Sequence, residues 1–106
     1  MIKHLVMWRL RDHAHGSEDS ETRLEVQRVT AAMRRGIAGL RALEIGFSAY
    51  RGTDAADLAL YAEFDSWEAL QAYEHHPLHE QLKRLIGPLR AERRVVDYEA
   101  TETEKV

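Results

Sequence analysis

The run Ile2-Lys3-His4-Leu5-Val6-Met7-Trp8-Arg9-Leu10 is dense in aliphatic and aromatic residues and free of turn formers, so residues 2–11 read as a strand. Side chains alternate across a strand, which puts Ile2, His4, Val6, Trp8 and Leu10 on one face and Lys3, Leu5, Met7 and Arg9 on the other. Both faces are apolar at their middle, so the strand has to be covered twice. A chain of 106 residues has material for one domain and no second one. That conflict favours a fold in which the chain's own helices cover one side and something else covers the other.

The rest of the chain supplies the elements. A polar segment from His13 to Ser20 leads into a helix marked by Leu24, Val26, Val29, Met33, Ile37 and Leu40, with Gly36 and Gly39 bracketing its end. Glu44 to Tyr50 reads as a second strand with Gly46 as a weak point or bulge, and Arg51-Gly52-Thr53-Asp54 is turn chemistry. Leu58, Leu60, Ala62 and Phe64 alternate with Ala59, Tyr61 and Glu63 as a third strand. Asp65 with Glu68 resembles a capping box for a helix carrying Trp67, Leu70 and Tyr73. His76-Pro77 should break that helix, because proline disfavours helical geometry in the residue before it. Leu78, Leu82, Leu85, Ile86 and Leu89 then form a new stripe ending at Gly87-Pro88. Arg93 to Ala100 is a final strand, and residues 101–106 read as a polar tail.

The order β-α-β-β-α-β is the split βαβ plan, an α+β ferredoxin-like domain whose helices lie on one face of an antiparallel sheet. The opposite face would carry Leu5, Met7, Ala59 and Tyr61, an apolar patch that a two-fold copy of the chain would cover. A homodimer through the open sheet face is therefore expected.

Composition excludes several function classes. Net charge is −3, which gives no field to attract nucleic acid or an anionic membrane. The basic pairs Arg34-Arg35 and Arg93-Arg94 read as solvated faces matched by nearby acids. Without cysteine there are no disulfides, thiolate nucleophiles or thiolate metal ligands. The apolar N-terminal run is too short for a membrane span and lacks signal-peptide features, so cytoplasmic residence is expected.

Chemistry then falls to the six histidines. His13 and His15 sit in the polar segment. His4 interrupts the inward face of the first strand, and His75, His76 and His79 cluster around Pro77, close to Tyr73. His75 and His79 have the i, i+4 spacing of a zinc helix, but Pro77 lies between them and no acidic ligand is placed, so no native metal or other cofactor is expected. G-x-S-x-G and phosphate-cradling glycine loops are absent. Tyr73, His76 and His79, with His4 facing them from the sheet, remain. A phenol can donate to a carbonyl and a neutral imidazole can take a proton from an acidic carbon. Equally, these residues can be core groups with satisfied polar tips that pack the helix break.

The opening Ile2 to Trp8, the Phe64-Asp65-Ser66 turn, Tyr73-x-x-His76-Pro77-x-His79 and the closing Val95-Val96-Asp97-Tyr98 resemble the stress-responsive A/B barrel (Dabb) family, over about residues 2–99. The resemblance implies a dimeric α+β barrel, similar in fold to cofactor-free monooxygenases and muconolactone isomerases, that dimerises through the open sheet face. It relates the chain to polyketide cyclases of the olivetolic acid cyclase type, which close a linear tetraketide by an aldol step. By motif it makes Tyr73 and His79 the catalytic candidates and His4 and His76 pocket-facing; Val6, Trp8 and Leu60 are expected to complete the ligand-binding set. The wall departs from the cyclase. Val26, Gln27, Thr30 and Ala31 stand where it has bulky aromatics, Trp8 points inward, and Arg93 is a charge near another wall position. Three readings stay open: a binding or accessory domain with a small apolar pocket in each subunit for a hydrophobic or aromatic ligand, a cyclase or lyase, and a cofactor-free monooxygenase.

Overall fold

A computed structural model describes residues 1–11 and 21–101. His13, His15, the rest of the polar segment up to Ser20, and residues 102–106 lie outside the described residues.

The elements are β1 (Ile2–Leu10), α1 (Glu21–Gly36), β2 (Leu40–Phe47), β3 (Leu58–Phe64), α2 (Trp67–Glu74), α3 (Pro77–Ile86), a 3-10 turn (Gly87–Leu89) and β4 (Arg90–Glu99). The four strands form one sheet in the order β2-β3-β1-β4, antiparallel throughout. This is the expected ferredoxin-like arrangement, with the second helical stretch split in two at Pro77. The alternation of β1 holds: Ile2, His4, Val6, Trp8 and Leu10 are all buried, while Met7 and Arg9 are exposed. Inner residues of β1 and β3 pack with Val26 and Met33 of α1, Leu70 of α2, and Leu82 and Ile86 of α3 into one core. Each such side chain fully buried is worth roughly 1.5–3 kcal/mol relative to exposure. α1 packs on α3 and β2, and α2 touches β1, β2 and β3. β4 is exposed along its whole length, so the helix layer stops short of it.

Several boundaries differ from the sequence reading, and α1 already ends at Gly36, which leaves Ile37 and Leu40 outside it. β2 runs from Leu40 to Phe47 rather than from Glu44 to Tyr50. Gly39, at φ 80°, turns the chain directly out of α1 into the sheet, and a Cβ there would meet that of Ala69 at 2.6 Å. The irregularity in β2 lies between Leu40 and Ala42, and Gly46 pairs regularly with Ala59. Tyr50 falls in the following loop, where its hydroxyl donates to Asp54 at 2.6 Å. The cap of α2 is Ser66, whose hydroxyl accepts from the Ala69 N–H at 3.1 Å. Asp65 is engaged instead by the Arg41 guanidinium. β4 begins at Arg90, three residues earlier than expected.

The break at Pro77 follows expectation. His76 is extended (φ −72°, ψ 140°), its ring Nδ1 accepts from the Leu78 N–H at 3.1 Å, and Pro77 opens α3 where its missing N–H costs nothing.

The outward sheet face brings Leu5 beside Tyr61 and Val96, and Met7 beside Ala59. Met7, Val96 and Tyr98 are 44%, 48% and 45% exposed there. Lys3, Glu63 and the Tyr61 hydroxyl, which donates to Glu63, form a polar margin to this patch.

Candidate functional site

Because β4 lacks a helix over its inner face, a cavity of about 490 Å³ opens between β1, β4 and α3. Its sheet wall is His4, Val6, Trp8, Arg93 and Val95; its helix wall includes Tyr73, Glu74, His79, Leu82, Lys83 and Ile86.

The helix break positions the reactive groups. Tyr73 stands in the last turn of α2 and His79 in the first turn of α3, and their ring centroids are 4.4 Å apart. The Glu74 carbonyl, left over at the end of α2, lies 3.1 Å from His79 Nδ1. A carbonyl can only accept, so Nδ1 carries the proton and the Nε2 lone pair is free. Burial lowers the His79 pKa below the usual imidazole value, and Lys83 and His4 add to this against the Glu74 hydrogen bond. The ring is therefore a neutral base at pH 7.

Tyr73 is 1% exposed, and its ring packs on Phe64 with centroids 5.0 Å apart. Burial pushes its phenol far above the ordinary range, with the positive charge of Arg93 opposing. It is a proton donor whose hydroxyl has no hydrogen-bond partner among the described residues. His4, also buried, meets the Tyr73 ring edge-on at 5.6 Å. The β1–β4 register sets His4 opposite Asp97, and His4 Nδ1 lies 2.5 Å from the Asp97 carboxylate. A carboxylate can only accept, so the Nδ1 proton of His4 points at Asp97.

Of the residues expected around a ligand, the structure brings together Tyr73, His79, His4, Val6 and Trp8. It does not bring in His76, whose ring caps α3, or Leu60, which is enclosed in the core at 1% exposure. α1 contributes no wall among the described residues. Val26 and Thr30 are fully buried, and the Thr30 hydroxyl donates to the Val26 carbonyl. Arg93 is exposed as expected and also lines the cavity, while Arg94 pairs with Glu92. Asp97, Arg90 and Glu74 were not singled out from sequence as site residues. The strand alternation Arg93, Val95, Asp97 was the signal available for the first. His75 and His79 both line the cavity while His76 caps α3, and no three metal-ligating side chains gather among the described residues.

The family model for the Stress responsive A/B Barrel Domain matches residues 2–100. No curated protein gives a significant match. Among solved structures, the chain is similar to a dimeric ferredoxin-like protein of unknown function from Thermobifida fusca, with a TM-score of 0.80 and 22% identity over 93% of this chain and 90% of that one. A dimeric protein of unknown function and ferredoxin-like fold from Bacteroides fragilis gives 0.74 and 26%, over 93% and 95%. A hydroxynitrile lyase from Passiflora edulis gives 0.76 and 13%, over 98% and 96%, a likeness of fold alone.

Proposed function

This chain belongs to the stress-responsive A/B barrel domain family, and from that premise we propose that it is a homodimeric small-molecule protein whose cavity binds a carbonyl compound and moves a proton at the carbon beside the carbonyl without a cofactor. The observation that carries this is the pairing, in one cavity, of a protonated phenol and a neutral imidazole, with neither the phenol oxygen nor Nε2 hydrogen-bonded to the described residues. Polar groups this deeply buried are ordinarily satisfied within the fold, and exceptions mark sites of function.

The bound carbonyl oxygen accepts a hydrogen bond from the Tyr73 hydroxyl. His79 Nε2 takes the proton from the adjacent carbon, and the C–H electron pair moves into the carbonyl to give an enolate whose charge Tyr73 stabilises. The proton then returns to the same carbon, goes to a conjugated carbon of an extended enolate, or goes to the new alkoxide formed when the enolate carbon bonds to a second carbonyl. The first outcome is hydrogen exchange and the second an isomerisation; the third is the aldol closure of a cyclase, and its reversal is a lyase. A positioned base contributes about a hundredfold to ten-thousandfold, and one oxyanion donor about a hundredfold to a thousandfold.

Dimerisation through the outward sheet face is part of the same proposal. Leu5, Met7, Ala59, Tyr61, Val96 and Tyr98 form a patch that a two-fold copy would cover, and the Thermobifida and Bacteroides relatives are described as dimeric.

Phenylacetone tests the chemistry, since its CH₂ lies between a ring and a carbonyl. In D₂O, the protein should accelerate exchange of those protons in NMR spectra, and His79→Gln should abolish the acceleration. Saturable binding of phenylacetone with exchange no faster than in buffer would sink the proton-transfer half and leave a binding domain.

A further inference from the structure

Among the described residues, four charged side chains line the cavity: Glu74, Lys83, Arg90 and Arg93. Lys83 is held by Glu80 at 3.2 Å. Arg90 and Arg93 have no ion pair among the described residues, whereas Arg9, Arg28, Arg41 and Arg94 each have one. The two free guanidiniums share the inner face of the sheet for different reasons. Arg93 stands opposite Trp8 by the ordinary alternation of β4. Arg90 has the parity of outward-facing Glu92 and Arg94, but the register shift between Arg9 and Leu10 sets it opposite Leu10, on the inner side. An irregularity that re-aims one side chain beside a site is a recurrent use of β-bulges. Against these two cations the lining offers one acid, Glu74, from the helix side.

We propose that the ligand of this cavity carries a carboxylate, gripped at the β4 side by Arg93 with Arg90, so that its carbonyl reaches Tyr73 and His79; the substrate class is a keto acid rather than a neutral ketone. This rests on the cavity being the carbonyl site proposed above, and it adds what selects the substrate. A guanidinium fork matches a carboxylate in plane and spacing, and it gains strength beside apolar walls such as Trp8 and Val95. The charge of Arg93 is also felt at the Tyr73 phenol, so the group that anchors the acid lies close to the carbonyl-binding hydroxyl.

Phenylpyruvate and phenylacetone separate the two ideas, because they share the ring, the acidic CH₂ and the ketone and differ by a carboxylate in place of a methyl group. Dissociation constants for both should be measured calorimetrically for wild type, Arg93→Gln, Arg93→Lys and the double variant Arg90→Gln/Arg93→Gln, each checked for its melting temperature. Wild type should prefer phenylpyruvate by about tenfold to a hundredfold, the range of a hydrogen bond to a charged group. That ratio should fall to near one in the double variant and recover partly in Arg93→Lys. Equal affinities in wild type, a preference that survives the double variant, or no binding of either ligand at millimolar concentration would each overturn the proposal. Benzylic exchange of phenylacetone, measured alongside, reports separately on Tyr73 and His79. Exchange without a charge preference therefore sinks only the keto-acid assignment, and a charge preference without exchange sinks only the acid–base one.

Discussion

Replacing Tyr73 with phenylalanine removes one oxygen and keeps the ring. The ring accounts for the visible packing, against Phe64 at 5.0 Å, His79 at 4.4 Å and His4 at 5.6 Å. The oxygen makes no hydrogen bond to the described residues. A tyrosine whose hydroxyl is a structural partner loses about 1 kcal/mol on this change, give or take half. One whose hydroxyl is buried without a partner regains part of a desolvation cost of roughly 1–3 kcal/mol. In a domain this size about 1 kcal/mol moves the melting temperature by roughly 4–8 °C. The expected result is a midpoint that is unchanged or raised by up to about 8 °C, beside an exchange rate reduced about a hundredfold to a thousandfold. Stability and activity thus move in opposite directions, as they do where a site is held at the expense of the fold. Calorimetric melts at one protein concentration, which the proposed dimerisation makes necessary, and exchange in D₂O supply both readouts. A fall of about 4 °C or more would refute the reasoning, because it would mean the hydroxyl serves the fold.

Leu5→Glu, placed between Tyr61 and Val96, should put an unpaired charge into the proposed dimer seam and weaken association at least about a hundredfold, which light scattering across a dilution series reads. The His79 pKa is lower folded than unfolded, so the unfolded chain binds the extra proton first as pH falls. The stability His79 contributes is therefore present above about pH 6.5 and lost below it. Urea melts from pH 5 to 7.5 should show a loss in wild type that is absent in His79→Gln, and parallel pH profiles would contradict this. Ser66→Ala should cost about 1 kcal/mol in the same melts through loss of the α2 cap. Asp65→Asn, which touches only an exposed ion pair with Arg41, should cost less, and the reverse order would restore Asp65 as the cap.

How much was legible depends on which interactions set each feature. β1, β3 and the break at Pro77 follow from period-two alternation and from the geometry proline imposes on its predecessor, both local, and the structure agrees with them. The start of β2 was not local: it depends on Gly39 passing against Ala69, a contact between residues thirty positions apart. The cap of α2 was misplaced because Asp65 and Ser66 are both good caps, and only the tertiary partner Arg41 decides between them. In the site, Tyr73, His79 and His4 were identifiable as polar groups at buried positions or around the break. Asp97 and Arg90 were not, since the role of each depends on which residue of β1 it faces, and the shift that turns Arg90 inward leaves no mark on composition.

That same register explains how one short strand serves two surfaces. The inner residues His4, Val6 and Trp8 floor the cavity while the outer residues Leu5 and Met7 lie on the proposed seam. A one-residue slip of β1 would exchange the two sets, burying Lys3 and carrying His4 away from Asp97. The ladder from Ile2 to Trp8 is accordingly unbroken on both sides, paired with β3 and β4 without a shift. The irregularity with β4 comes only after Arg9, past the last site residue of the strand. There it costs the His4–Asp97 pair nothing and turns Arg90 toward the cavity, so the strand end is the position where β4 can be re-aimed while His4 and Asp97 keep their register.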